Sequence, residues 1–153
     1  MAAYFLDSSA LVKRYVTETG TAWVNGLLDP AMRHRLYIAR ITGAEVTAAL
    51  TRRERGGHLS ATAAAAAVAS FQHDYTNRLR PVEITAVLIT SAIQAARTHG
   101  LRGYDAVQLA AALAATRRRV ARHLAPLTLV TADLELLAAG VAEGLTTDDP
   151  NTH

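Results

Sequence analysis

The chain has 153 residues, half of them hydrophobic and 19% charged, which suits one folded domain over residues 1–153 and excludes a disordered chain. Its net charge of +3 permits a nucleic-acid partner without demanding one. No cysteine is present, which excludes disulfides, thiolate metal sites and a cysteine nucleophile and fits a reducing cytoplasmic compartment.

Residues 3–6 read as a short buried strand that ends at Asp7. Ser8 and Ser9 then offer caps for a helix over residues 10–16. A second helix is predicted over 21–28, stopped at Asp29-Pro30. Residues 36–39 form a second strand. A helix follows from Thr42, with Ile41, Val46 and Leu50 on or near its apolar stripe, and Gly56-Gly57 ends it. Ser60 caps a long alanine-rich helix that reaches about Asn77. Residues 81–84 read as a third short strand and 86–98 as a helix stopped by Gly100. Another helix covers 104–120. Residues 127–130 are the clearest strand, apolar on both faces as a central parallel strand should be. A helix over 133–139 ends at Gly140, and a last strand lies near 145–147. Short apolar strands alternating with helices predict an α/β fold, a mainly parallel sheet of about five strands with helices on both faces. There is no apolar run of about 18 residues, and no basic leader precedes an apolar stretch near Met1, so neither a membrane nor secretion is expected.

Ligands in such sheets bind beyond the carboxyl ends of the strands. Asp7 and Asp133 stand there, each after a strand. Asp105 opens a helix, and Glu45 lies in the first turn or so of the helix after strand two. Four acids from four separated segments can therefore converge on one edge. Close carboxylates repel unless a cation neutralises them, and carboxylate oxygens with water suit a hard cation such as Mg²⁺, with Mn²⁺ as a possible substitute. Taken singly, each acid has an ordinary structural role. Asp7 and Asp105 could cap helices. Asp133 and Glu45 could complement a helix dipole or sit in solvent. Ser9 and Thr131 carry hydroxyls that could orient the acids or cap local backbone. The sixteen cations are fifteen arginines and Lys13, and beside 32 alanines that preference reads as coding bias. Lys13 and Arg14 stand near Asp7 and are candidates for phosphate contact. Arg52, Arg53 and Arg55, like Arg117 to Arg119 with Arg122, more readily complement helix C-termini.

Phe5-Leu6-Asp7-Ser8-Ser9-Ala10-Leu11-Val12-Lys13 resembles the opening of PIN-domain proteins of the VapC toxin type. Thr42-Gly43-Ala44-Glu45-Val46, then Arg52-Arg53, resembles that family's second acidic segment. Leu101-Arg102-Gly103-Tyr104-Asp105-Ala106-Val107-Gln108-Leu109-Ala110 resembles the third, and Leu129-Val130-Thr131-Ala132-Asp133 with Glu143-Gly144-Leu145 the fourth. The order and spacing match over almost the whole chain. The resemblance implies a three-layer α/β/α sandwich and a Mg²⁺-dependent ribonuclease, the toxin of a type II toxin–antitoxin pair. It implies an RNA substrate, a cognate antitoxin and a homodimer, with Asp7, Glu45, Asp105 and Asp133 as catalytic and metal-binding acids. Gln108 stands where the family often has histidine, at a position that is not a metal ligand.

Two other classes compete. A phosphoaspartate enzyme would want a second aspartate two residues after Asp7, where Ser9 stands, or a late lysine, and the only lysine is Lys13. A non-catalytic RNA- or protein-binding module of the same fold would bind without metal and survive loss of Asp7 or Asp105.

Overall fold

The computed structural model describes residues 1–153. Five strands form one sheet: β1 (Ala3–Leu6), β2 (Arg35–Ala39), β3 (Leu79–Val82), β4 (Thr128–Val130) and β5 (Thr146–Asp148). Seven α-helices connect and cover them: α1 (Ser8–Leu11), α2 (Thr21–Leu27), α3 (Thr42–Arg55), α4 (Ala61–Asn77), α5 (Ala86–His99), α6 (Gly103–Val120) and α7 (Leu134–Ala142). The sheet order is β3-β2-β1-β4-β5 and every neighbouring pair is parallel. The chain thus builds outward from β1 to one edge, then returns to β1's other side.

Alternation along each strand sends side chains to opposite faces. Phe5 and Leu129 join one apolar cluster with Leu88, Leu109 and Leu136 of α5, α6 and α7. Leu6, Ile38 and Val130 join a second with Leu11, Val24, Leu50 and Phe71 of α1 to α4. Both faces of the sheet are covered, which is why its strands read as apolar runs, and the result is a three-layer α/β/α sandwich. No helix is long and apolar enough to cross a membrane.

Four local expectations change. Asp7, not Ser8 or Ser9, caps the first helix, which tightens to a 3₁₀ turn over Val12–Arg14 instead of running to residue 16. Strand β3 begins at Leu79, two residues before Pro81, and releases Ile84; proline is tolerated because β3 is an edge strand. Helix α7 continues past Gly140 to Ala142. Gly140 is needed for close packing there, since a Cβ on it would lie 2.8 Å from Leu129 Cδ2 and 3.0 Å from Thr147 Cγ2. Gly144, at φ +80°, makes the turn into β5.

Lys13 and Arg14 brace the fold. Lys13 is buried, and its Nζ donates to the Thr19 carbonyl at 2.8 Å and to Glu18 at 3.3 Å. Arg14 Nε donates to buried Asp74 at 2.6 Å. Asp74 also accepts from Tyr15 and Arg78. Burial alone would raise the Asp74 carboxyl, but these donors hold it below its ordinary range. Neither cation is free for a phosphate.

Candidate metal centre

The crevice that the topology prescribes lies between β1 and β4, where the strand order reverses. Leu6 and Val130 pair in register at the ends of these strands, and the Asp7 amide donates to the Val130 carbonyl at 3.2 Å. The two following loops are therefore neighbours, and they carry Asp7 and Asp133. Glu45 enters from the first turn of α3, after the adjacent β2. Asp105 enters from the first turn of α6.

Asp7 is buried and accepts from the Ala10 amide at 3.0 Å. Ser9 Oγ donates to its carboxylate at 2.8 and 3.1 Å. The same Oγ accepts from the Ala132 amide at 3.0 Å and lies 3.5 Å from Thr131 Oγ1. Thr131 Oγ1 in turn accepts from the Asp133 amide at 3.0 Å. Ser9 and Thr131 thus latch the two acid-bearing loops together. Asp133 caps α7 by accepting from the Leu136 amide at 2.9 Å. The capping roles of Asp7 and Asp133 are real, and they leave each carboxylate with oxygen lone pairs to spare.

Glu45 is half-buried and held at both oxygens. Ser8 Oγ donates to Oε2 at 3.1 Å and Gln108 Nε2 to Oε1 at 2.6 Å. Gln108 is itself buried, with Nε2 also donating to Thr42 Oγ1 at 3.0 Å and Oε1 without a partner. This is the residue that reading the ligand positions alone passes over. It stands three residues after Asp105, one helical turn on, and that spacing is the signal that could have found it.

Burial pushes the Asp7 carboxyl up to about 7, against the donors that favour its charge, and Asp105 adds repulsion. Burial raises Glu45 too, with Asp105 again repelling. Asp105 is raised by burial, then by Asp133. Asp105 therefore stands close enough to each of the other three acids for charge to be felt. No three of the acids close around one point as a ready-made cage. Mg²⁺ does not require that, since it is commonly held by one or two carboxylates and keeps several waters. None of the chain's ion pairs involves any of the four. Hard oxygen donors that repel one another, with Arg102 acting on Asp105 but no cation in an ion pair with any of the four, fit a divalent metal ion.

Beside the acids runs a groove of about 480 Å³. Val12, Ile41 and Ala48 contribute apolar surface, Glu45 lies in its wall, and Arg52, Arg53 and exposed Tyr104 border it.

A parallel sheet covered on both faces, with acids at its switch point, is the architecture of the PIN domain. The PIN-domain family model matches residues 4–141, and the chain belongs to that family. It is 39% identical over 114 residues to Ribonuclease VapC45 and to Ribonuclease VapC49 of Mycobacterium tuberculosis, with 74% of this chain and 77% of each relative covered. Among solved structures, PAE2754 from Pyrobaculum aerophilum superposes with a TM-score of 0.66 at 22% identity, over 99% of this chain and 92% of that one. VapBC2 from Rickettsia felis, bound to a promoter DNA fragment, gives 0.57 at 16% identity over 96% and 98%. FitAcB from Neisseria gonorrhoeae gives 0.58 at 17% over 96% and 97%. At these identities the structural matches speak for the fold.

Proposed function

We propose that this protein is a metal-dependent endoribonuclease, the toxin of a toxin–antitoxin pair, working in the cytoplasm. Asp7, Glu45, Asp105 and Asp133 hold Mg²⁺, with Mn²⁺ able to replace it. The observation that supports this reading is buried Asp7 beside the Asp133 loop at the β1/β4 switch point, with Asp105 near enough to repel Asp7 and Glu45 and no ion pair to any of the four. The relatives named as ribonucleases supply the substrate class.

When bound, the metal ion offsets charge on the phosphate and makes water easier to deprotonate. Asp7 and Asp105 are its principal ligands. Ser9 fixes the Asp7 carboxylate through two contacts and ties it to the Asp133 loop. Gln108 and Ser8 fix Glu45 at both oxygens. Glu45, held at both oxygens beside the crevice, would accept the proton of the attacking water. The groove next to Glu45 receives the antitoxin. Its apolar floor suits hydrophobic side chains, and an arginine from that partner can reach the acids through a bidentate contact.

Cleavage of total RNA by wild type, Asp7→Asn and Asp105→Asn, each with Mg²⁺, Mn²⁺ or EDTA, tests the reading. Wild type should cut only with a divalent ion, and both variants should be inert while folded and still able to bind RNA. Equal cleavage by all three, or full cleavage in EDTA, means that the acids are structural. RNA binding without any cleavage would leave a non-catalytic binding module.

A further inference from the structure

At the far end of α6 from Asp105, a second pocket of about 240 Å³ opens between that helix and strands β2 and β3. Arg80, Arg118, Arg119 and Arg122 line it together with Tyr37. No carboxylate forms an ion pair with any of these arginines. Complementing the C-terminus of α6 explains a helix-end cation, but not Arg80, which comes from the edge strand. Nor does it explain a cavity between them.

Arg119 is already fixed in place. Its Nε donates to the Ala125 carbonyl at 2.7 Å, its Nη1 to Tyr37 Oη at 3.3 Å, and its guanidinium lies 5.8 Å from the Tyr37 ring centroid. Arg80, Arg118 and Arg122 are exposed and free to turn towards a ligand. Four guanidinium groups around one concavity repel until an anion enters, and planar forks of N–H donors match phosphate oxygens two at a time.

Arg119 follows Asp105 by 14 residues, so the two stand at opposite ends of one helix about 21 Å apart, and because Leu109 and Ala112 between them are buried in the core, an RNA that reaches both must pass around the helix. A stacked nucleic-acid strand rising about 3.4 Å per nucleotide needs at least about six nucleotides to cover that distance. We infer that this arginine pocket is a second RNA-binding site, which takes backbone phosphates at least about six nucleotides from the bond being cut. The inference rests on the ribonuclease reading for its ligand. It makes the protein measure RNA length or fold, because a strand held only at the acids would miss the pocket.

The test uses the full chain carrying Asp7→Asn, so that RNA is bound but not cut, with fluorescent RNAs of about 4 and 12 nucleotides. The 12-mer should bind at least about tenfold tighter. Adding Arg118→Ser and Arg122→Ser should remove most of that advantage and leave the 4-mer unchanged. The slope of log affinity against log salt should flatten by about 1.4 for the 12-mer, at about 0.7 for each phosphate that is no longer neutralised on a single strand. Both arginines are exposed, and circular dichroism checks that the fold persists. Unchanged 12-mer affinity and slope overturn the inference, and so does an equal loss for both lengths, which is general charge removal. Inorganic phosphate binding that depends on Arg118 and Arg122, beside 12-mer binding that does not, assigns the pocket to a free anion and also overturns it. In active protein with Mg²⁺, the two arginine substitutions should keep kcat on the 4-mer and raise KM on the 12-mer about tenfold. An Asp7-intact protein that cuts neither RNA refutes the ribonuclease reading instead, so the two failures are distinct.

Discussion

Replacing Asp7 by asparagine should stabilise the metal-free protein at pH 8 and leave its stability near pH 4 almost unchanged. Asp7 is buried, and its carboxyl sits at about 7 instead of 3.8. Between those values the folded chain holds a proton that the unfolded chain has lost. The unfolded state then binds fewer protons, so stability falls as pH rises through the interval, and the whole penalty is present above about 7. A displacement of about three pH units corresponds to roughly 4 kcal/mol at pH 8. Asparagine removes the ionisation and still caps α1, accepting from the Ala10 amide as the carboxylate does. In urea with EDTA at pH 8, its midpoint should rise by as much as about 2 M for an unfolding slope near 2 kcal/mol per molar. Glu45 and Asp105 are raised in the same direction, so wild type alone reports all three acids, and the difference between the proteins isolates Asp7. Mg²⁺ should restore wild-type stability at pH 8 and add little to the variant. Wild-type stability independent of pH in EDTA, or an asparagine protein weaker at pH 8, would refute this account of the buried carboxylate.

Gln108→Leu removes the donor to Glu45 and the unpartnered Oε1 together. Stability should change little, while the Mn²⁺ concentration for half-binding rises about tenfold or more, read by calorimetric titration. Gly140→Ala should cost about 1–3 kcal/mol in thermal or urea unfolding, because its methyl meets Leu129 and Thr147 at or below contact distance. Val87, Ile89 and Ile93 of α5 are exposed, more apolar surface than a helix in water usually shows. The chain should therefore scatter light as a homodimer at micromolar concentration and as a monomer after Ile93→Arg; a wild-type monomer without antitoxin would count against this.

The layers of the fold were legible because both sheet faces are buried: Leu129-Val130 and Phe5-Leu6 had to be apolar on alternate sides. The four acids were legible as residues that follow strands or open helices, in the order the family resemblance requires. The groups that hold those acids in place were only partly so. Ser9 and Thr131 could be picked out because they sit next to the acids, whereas the hydrogen bond from Gln108 to Glu45 spans 63 residues and depends on how α3 and α6 pack. Lys13 and Arg14 looked free because proximity to Asp7 in sequence says nothing of Glu18, Thr19 and Asp74, which claim them in space. Helix ends misled where a glycine has two uses. Gly140 reads as a stop but is a packing notch, and Gly144 takes the positive φ.

The central claim, that these acids hold a divalent cation, is tested most directly by crystals grown with Mn²⁺ and measured for anomalous scattering. The account predicts one or two peaks between Asp7 and Asp105, within bonding reach of both carboxylates and adjoined by Glu45 or Asp133, and no peak in crystals of Asp7→Asn. A wild-type crevice without an anomalous peak at millimolar Mn²⁺, or an equal peak in the asparagine variant, would contradict it.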